Sequence, residues 1–346
     1  MTTKIFLTGA TGYIGGSVLA ELLQHPAARS FEITVLVRAV EKAELLKELG
    51  LRTIIGSNSD HALLKEAASE ADITIACADA DDLGAAQAIL AGAKEYRART
   101  GKNASLIHTS GTGVLSVKAD GEFVESPIYS DLDIPLIEKL SLEQPHREVD
   151  VALVKDDADG NVNTYIVLPS TIYGRATGIL VDKGIQKTFS DQVPTIVRAG
   201  LARGQGGRIG SGSNLWPNVE VHEVAKLYLT IFDLIVSPPS TIPKEFEHGR
   251  GGFYFGENGE YTLIDVYKTV AGALHDLGIG SPEPTPFTTK DLEPYTPSGP
   301  NSISFSKMSR CKAERGRAIG WNPTKTVKDF LASAVEEVEL FSQDTK

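Results

Sequence analysis

Cysteine is scarce: Cys77 and Cys311 are the only two. They offer no disulfide framework and no zinc-ligand spacing, so a reducing compartment and no bound metal are expected. No apolar run approaches the roughly 20 residues that span a bilayer. The chain runs straight into an apolar segment, Ile5-Phe6-Leu7, with no basic leader before it. No targeting segment is therefore expected, and a cytoplasmic location is. Positive charge is also in deficit, with 34 Lys and Arg against 45 Asp and Glu and a net charge of −11. That balance argues against nucleic acid or an anionic membrane as partner. There is no internal repeat. What remains is an ordinary globular composition, 41% hydrophobic and 23% charged. At 346 residues the chain can hold one large unit and a smaller lobe.

The most informative stretch is Lys4 to Gly16, KIFLTGATGYIGG. A short apolar run ends at Thr8, glycines follow at 9, 12 and 15, and an apolar-periodic segment runs from Tyr13 to Leu23. Strand, glycine turn and helix in that order make a phosphate cradle. Gly9 permits the tight turn, Gly12 lets backbone approach a pyrophosphate, and Gly15 lets helix pack on strand. Thr11, Tyr13 and Ile14 complete the turn as cofactor-binding candidates.

Strands and helices then alternate. Strands are predicted at 32–37, 51–55, 72–77 and 104–109, and helices at 40–49, 61–69 and 82–100. Such alternation implies a doubly wound parallel sheet, which binds ligands beyond its strand C-termini at the switch point. Cys77, Ala78, Asp79 and the segment Thr109 to Thr112 fall on that crevice. The end of the second strand chooses between the two nicotinamide dinucleotides. An acid there would hold a ribose 2′-hydroxyl, whereas a basic residue accepts a 2′-phosphate. Arg38 stands there with Lys42 behind it, and NADP(H) is the expected cofactor.

TGATGYIGG, the Val37-Arg38 strand end, HTSGTGVL and IVLPSTIYG together resemble the extended short-chain dehydrogenase/reductase superfamily, the NAD(P)-dependent epimerase/dehydratase-like proteins. NLWPNVEVHEVAKLYL and RAIGWNPTKTVKDFL, toward the C-terminus, are similar to it too. The resemblance implies a Rossmann-type α/β fold with a smaller C-terminal α/β substrate lobe. It places an NADP-binding domain at 1–172 and a mainly substrate-binding lobe at 173–346, with interleaved boundaries. It adds Pro169 and Ile172 to the cofactor contacts. It also implies a homodimer bundled through helices at 87–99 and 147–157. The second of these carries Glu148, Asp150, Asp156, Asp157 and Asp159, a run expected to be a solvated face.

The departures bear on chemistry. The family's acid/base Tyr and its Lys are spaced Tyr-x-x-x-Lys, and this chain contains no such spacing. His146 and Asp150 stand in those places, and Gly111 falls where the family serine would be. Four apart on a helix, Asp150 could orient His146 for proton transfer near neutral pH. Ser110 or Thr112 could hydrogen-bond a substrate carbonyl, and Tyr129 and Tyr173 are further candidate acids. The Asn and Arg that serve a sugar nucleotide's diphosphate in relatives correspond to Thr171 and Trp216-Pro217, which disfavours such a substrate. Trp216, Tyr173 and Leu180 suggest an apolar pocket instead.

Two stretches read as loops. Gly200 to Gly212 holds six glycines. Ser281 to Pro300 is rich in proline and is expected to hold neither helix nor inner strand, as a lid, a binding loop or a strap. The expected activity is reduction of a small carbonyl or enone with NADP(H). Two alternatives stay open: a non-catalytic NADP sensor similar to the NmrA-like group, and a lyase or isomerase on the same fold.

Overall fold

The computed structural model describes residues 2–295 and 304–343. Its first half runs β1 (Thr3–Thr8), α1 (Tyr13–Gln24), β2 (Phe31–Val37), α2 (Val40–Glu48), β3 (Arg52–Ile55), α3 (His61–Ser69), β4 (Ile73–Ala76), α4 (Leu83–Thr100) and β5 (Ala104–Thr109). Short strands β6 (Val117–Lys118) and β7 (Tyr129–Ser130) and the turn α5 (Ile134–Ile137) lead to α6 (Arg147–Ala158) and β8 (Val162–Pro169). The chain then builds a smaller lobe with β9 (Thr171–Tyr173), α7 (Ile179–Asp182), α8 (Gln192–Arg203), β10 (Gly207–Arg208) and β11 (Leu215–Glu220). It returns through α9 (Val221–Val236) to lay down β12 (Phe253–Gly256). Next come β13 (Glu260–Thr262), α10 (Leu263–Asp276) and, last, a helix at Val327–Gln343.

The central sheet has the order β3-β2-β1-β4-β5-β8-β12, and every pairing in it is parallel. Parallel strands are covered on both faces, and all six residues of β5 are buried accordingly. The order reverses between β1 and β4, which sets the switch point there. Helix ends follow local chemistry. The Asp82 carboxylate accepts the Ala85 N–H at 2.9 Å to start α4, and Gly101 ends it in the left-handed region. Edge strand β12 and helix α9, which packs on α1, both come from beyond residue 172, so the two lobes interleave there.

A second core gathers Tyr173, Trp216, Tyr261, Tyr267 and Phe330. It corrects the expectation of an apolar pocket. Trp216 is buried and donates its indole N–H to the Lys307 carbonyl at 2.7 Å. Tyr173 is buried against Phe330, and its hydroxyl donates to the Thr326 carbonyl. Leu180 is wholly enclosed. These are packing residues.

The acidic run on α6 is likewise not a solvated face. Asp150 and Asp156 are buried, and Asp157 accepts the Thr164 N–H at 2.6 Å and the His248 ring at 2.9 Å. The glycine-rich stretch is partly helical, because α8 runs through Gly200 to Arg203. The proline-rich stretch pairs Thr285–Pro286 with β10. It then makes a helical turn at Thr289–Leu292, capped reciprocally by Thr288 and Asp291. That turn corrects the expectation of no helix; Pro297 and Pro300 lie outside the described residues. Among the described residues no helix is long and apolar enough to cross a membrane.

The C-terminal segment is fastened by two buried acids. Glu223 accepts the Lys325 N–H at 2.9 Å, while its own carbonyl accepts the Trp321 indole N–H at 2.8 Å. Asp131 accepts three backbone N–H groups, from Phe255 at 3.0 Å and from Glu314 and Arg315 at 2.8 Å each. Burial pushes the Asp131 carboxyl up to about 6 against those bonds. Asp131→Ala leaves three buried donors unmet and should cost about 3–5 kcal/mol in urea denaturation. Asp131→Asn, which keeps an acceptor, should recover part of the loss. A change under about 1 kcal/mol for the alanine variant would show the clamp to be dispensable.

Candidate functional site

At the switch point the three glycines are needed for space as well as torsion. Gly9 is left-handed at φ +77°, and a Cβ there would sit 2.6 Å from the Cys77 carbonyl. A Cβ on Gly15 would lie 2.4 Å from the Gly9 oxygen. The Gly12 N–H closes the turn on the Gly9 carbonyl at 2.8 Å, and Gly12 caps α1 with no side chain. The N–H groups of Tyr13, Ile14 and Gly15 precede the first intrahelical bond, from Gly16 to Gly12. They are presented for an anion.

Beside this turn lies a cavity of about 370 Å³ lined by Gly9, Thr11, Gly12, Arg38, Cys77, Ala78 and Asp79, with Ser57, Asn58 and Ser59 after β3 on its far side. The cradle fits a dinucleotide: the glycines leave room for a pyrophosphate, and the cavity continues past the end of β2, where Arg38 is exposed. The loop 57–59 escaped sequence reasoning, although it follows a strand C-terminus and the switch-point rule covers it.

Other expected cofactor contacts are placed differently. The Lys42 ammonium is held by the Ile185 carbonyl at 2.8 Å, which corrects its assignment to a ribose phosphate. Thr109 is buried and shares a 2.6 Å hydrogen bond with the Tyr228 hydroxyl, behind the crevice. Burial pushes the Cys77 thiol up to about 11, so it stays protonated. Pro169 ends β8 beside Gly111, and Ile172 packs next to Tyr13.

The structure brings Ser110, Thr112, His146 and Asp150 together. His146 caps α6 in the left-handed region at φ 66°, an uncommon backbone for a residue with a side chain. One oxygen of Asp81 holds it there, accepting the His146 backbone N–H at 2.7 Å and pairing with ring Nδ1 at 2.9 Å. Nε2 faces the Gly111–Gly113 turn, 3.2 Å from where a Cβ on Gly111 would sit. The carboxylate on the His146 ring is therefore Asp81 and not Asp150, a correction to the helix-face expectation. Asp150 lies wholly buried, where Ser110 Oγ donates to its Oδ2 at 3.1 Å and Oδ1 has no partner among the described residues. His108, also buried, is pushed down to about 4 by burial and by His146, and is neutral. Thr112 is buried too, and its carbonyl accepts a hydrogen bond from Ser309 Oγ at 2.8 Å.

Tyr129 sits apart on β7, paired with Cys311. Tyr173, as shown above, turns its hydroxyl into the second core, and burial raises its pKa well beyond use as an acid. Asp81 and His108 were missed in the sequence. Asp81 lies in the acidic run Asp79 to Asp82 just past β4, on the crevice side, and that position was the available signal.

Asp150 gives the site a measurable pH signature. Burial, with repulsion from Asp81, raises its carboxyl to about 7 from an ordinary 3.8, against the Ser110 hydrogen bond and the attraction of Arg147. Below about pH 3 the proton is largely held in the folded and unfolded chain alike, and the group is close to neutral for stability. As pH rises, the unfolded chain ionises first, so stability falls until about pH 7 and the full cost persists above it. Asp150→Asn, which can still accept from Ser110, should match the parent below about pH 3. By pH 8 it should be more stable by on the order of a few kcal/mol in urea or thermal unfolding. A gap that stays constant with pH would contradict the raised value.

Comparison with known proteins agrees with this geometry. The sequence model of the NmrA-like family matches residues 1–97. Oxidase ucsJ of Acremonium sp is 30% identical over 293 residues, covering 81% of this chain and 80% of that one. The uncharacterized protein C2A9.02 of Schizosaccharomyces pombe is 28% identical, over 65% of this chain and 69% of that one. Among solved structures, the UDP-glucose 4-epimerase of Thermotoga maritima with UDP-glucose superposes with a TM-score of 0.64 at 15% identity, covering 99% of this chain and 100% of that one. The dTDP-glucose 4,6-dehydratase of Bacillus anthracis in complex with NAD gives 0.64 at 15% identity, over 98% and 97%. At that identity the structures speak for the fold, and the fold, the glycine cradle and the ucsJ match over four-fifths of both chains point one way. The chain belongs to the extended short-chain dehydrogenase/reductase superfamily, as an epimerase/dehydratase-like member without the Tyr-x-x-x-Lys spacing.

Proposed function

We propose that the protein is an NADP(H)-dependent reductase of a small carbonyl or enone compound, with His146 as the proton donor. The observation that carries this reading is the Asp81–His146 pair at the Gly111–Gly113 turn. A relative at 30% identity, ucsJ, is called an oxidase, which supports redox chemistry. Arg38 at the end of β2 supports the phosphorylated dinucleotide. When bound, that cofactor supplies the hydride.

The chain's own residues handle the proton. Asp81 accepts from Nδ1, which fixes the tautomer and leaves Nε2 directed at the turn. When the ring carries both protons, Nε2–H can give its proton to a carbonyl oxygen and recover one from solvent. The His146 side chain is 22% exposed, which keeps that route open. Thr112 lines the turn, and its hydroxyl has no partner among the described residues.

A nucleotide sugar fits poorly. Thr171 is buried and shares a hydrogen bond with Tyr261, and Trp216 is committed to Lys307, so neither position offers a diphosphate a partner. The two free cysteines accord with a cytoplasmic location. One observation favours the sensor reading: the NmrA-like match ends at residue 97, before His146.

Fluorescence titration should show NADPH binding at least tenfold tighter than NADH, with Arg38→Asp reversing the preference. Equal affinities would remove the NADP assignment. In a screen of aldehydes, ketones and enones, His146→Asn, which tolerates the left-handed backbone, should lower turnover by about 10²–10⁴-fold and leave NADPH affinity unchanged. Full rate in that variant would end the histidine's role. Absence of turnover on every carbonyl class, with NADPH still bound, would favour the sensor.

A further inference from the structure

Gly15 and Gly16 follow one another in the first turn of α1. Gly15 is accounted for by its approach to Gly9. Gly16 answers to something else: a Cβ there would strike the Cγ of Gln186 at 2.5 Å. Gln186 is 6% exposed. Its amide donates to the Tyr13 carbonyl at 3.2 Å and to Ser17 Oγ at 2.8 Å. Ser17 in turn donates to the Tyr13 carbonyl at 2.9 Å.

The residues around Gln186 do the same at neighbouring points. The Lys187 N–H donates to the Thr11 carbonyl at 3.0 Å, and the Tyr13 hydroxyl donates to the Gly174 carbonyl at 2.6 Å. Lys42 reaches the Ile185 carbonyl, and Lys183 pairs with Glu48 at 3.0 Å. Residues 174–187 thus form a strap from the substrate lobe across the glycine turn and α2.

Such a strap answers a physical need. Glycine is a poor helix former, and α1 opens with a glycine cap and two glycines in its first turn. The bare backbone that admits a pyrophosphate has few side chains of its own to hold its N–H groups in place. Gln186 supplies the missing side chain from the other lobe. We infer that Gln186 is a positioning residue for the dinucleotide, acting through Tyr13 and Ser17 to fix the turn that presents the first N–H groups of α1. The inference rests on the dinucleotide reading above and adds a residue from outside the Rossmann half to that site.

The test uses the full chain and NADPH, with affinity read by fluorescence and folding by urea denaturation. Gln186→Met keeps the length and the packing over Gly16 but removes both donors. It should weaken NADPH binding about five- to twentyfold while the urea midpoint stays near the parent's; in turnover the change should fall on the cofactor KM and not on kcat. Gly16→Ala should weaken binding similarly by displacing Gln186. The double variant Gly16→Ala/Gln186→Ala should bind no worse than Gln186→Ala alone, because both changes break one contact. NADPH affinity within twofold of the parent in Gln186→Met, or additive losses in the double variant, would overturn the positioning role and leave the dinucleotide site standing. A parent protein that binds neither NADPH nor NADH would overturn the site itself, and this role with it.

Discussion

The approach of Gly9 to Cys77 is the constraint on which the site depends. It brings the turn after β1 against the end of β4, where the sheet order reverses and the crevice opens. Any side chain on Gly9 would collide with backbone there, so the contact holds only for glycine. Four residues beyond Cys77 is Asp81, whose single oxygen holds both the backbone and the ring of His146. The glycine turn and the His146 ring are therefore registered through one short segment, 77–81. A shift at the glycine turn would be felt at the imidazole.

The site also sorts its ionisable groups by environment. Asp81 is largely exposed, while Asp150 is wholly enclosed and its carboxyl is raised toward neutrality. His108 is buried and kept neutral, whereas His146 reaches solvent. Two acids and two histidines are thus divided into a buried pair and a solvent-reaching pair. His146 holds a backbone conformation that costs on the order of 1–3 kcal/mol. The two bonds from Asp81 offset that cost.

Much of the fold was legible because its signals are local. The periodicity gives α3 at 61–69 and β5 at 104–109 with the bounds the structure shows. The glycine spacing, read against the strand before it and the helix after, located the cradle. The failures share a cause: each turned on a contact distant in sequence or on a single torsion. His146 and Asp150 are four apart, yet His146 is a left-handed cap, so its ring leaves the helix face that the spacing assumes. Lys42 is captured by Ile185, 143 residues away, which no strand-end rule can anticipate. Tyr173 ends a strand near the crevice, but Phe330 and Thr326, from the far end of the chain, draw it into the second core.

Interleaving of the lobes bears on how sensor and enzyme differ. A protein that only holds a dinucleotide needs the cradle and the end of β2, both within residues 1–97, the part the NmrA-like family model matches. This chain adds contacts that reach the crevice from the second half. Gln186 and Lys187 hold the glycine turn, and Ser309 holds the Thr112 carbonyl. Asp131 and Arg315 then lock the C-terminal segment to edge strand β12. The pair that would move a proton spans the division as well, with Asp81 inside the matched half and His146 outside it. Gln186 and Lys187 bear on the dinucleotide turn itself, whereas Ser309 and the Asp81–His146 contacts set the Gly111–Gly113 turn beyond it.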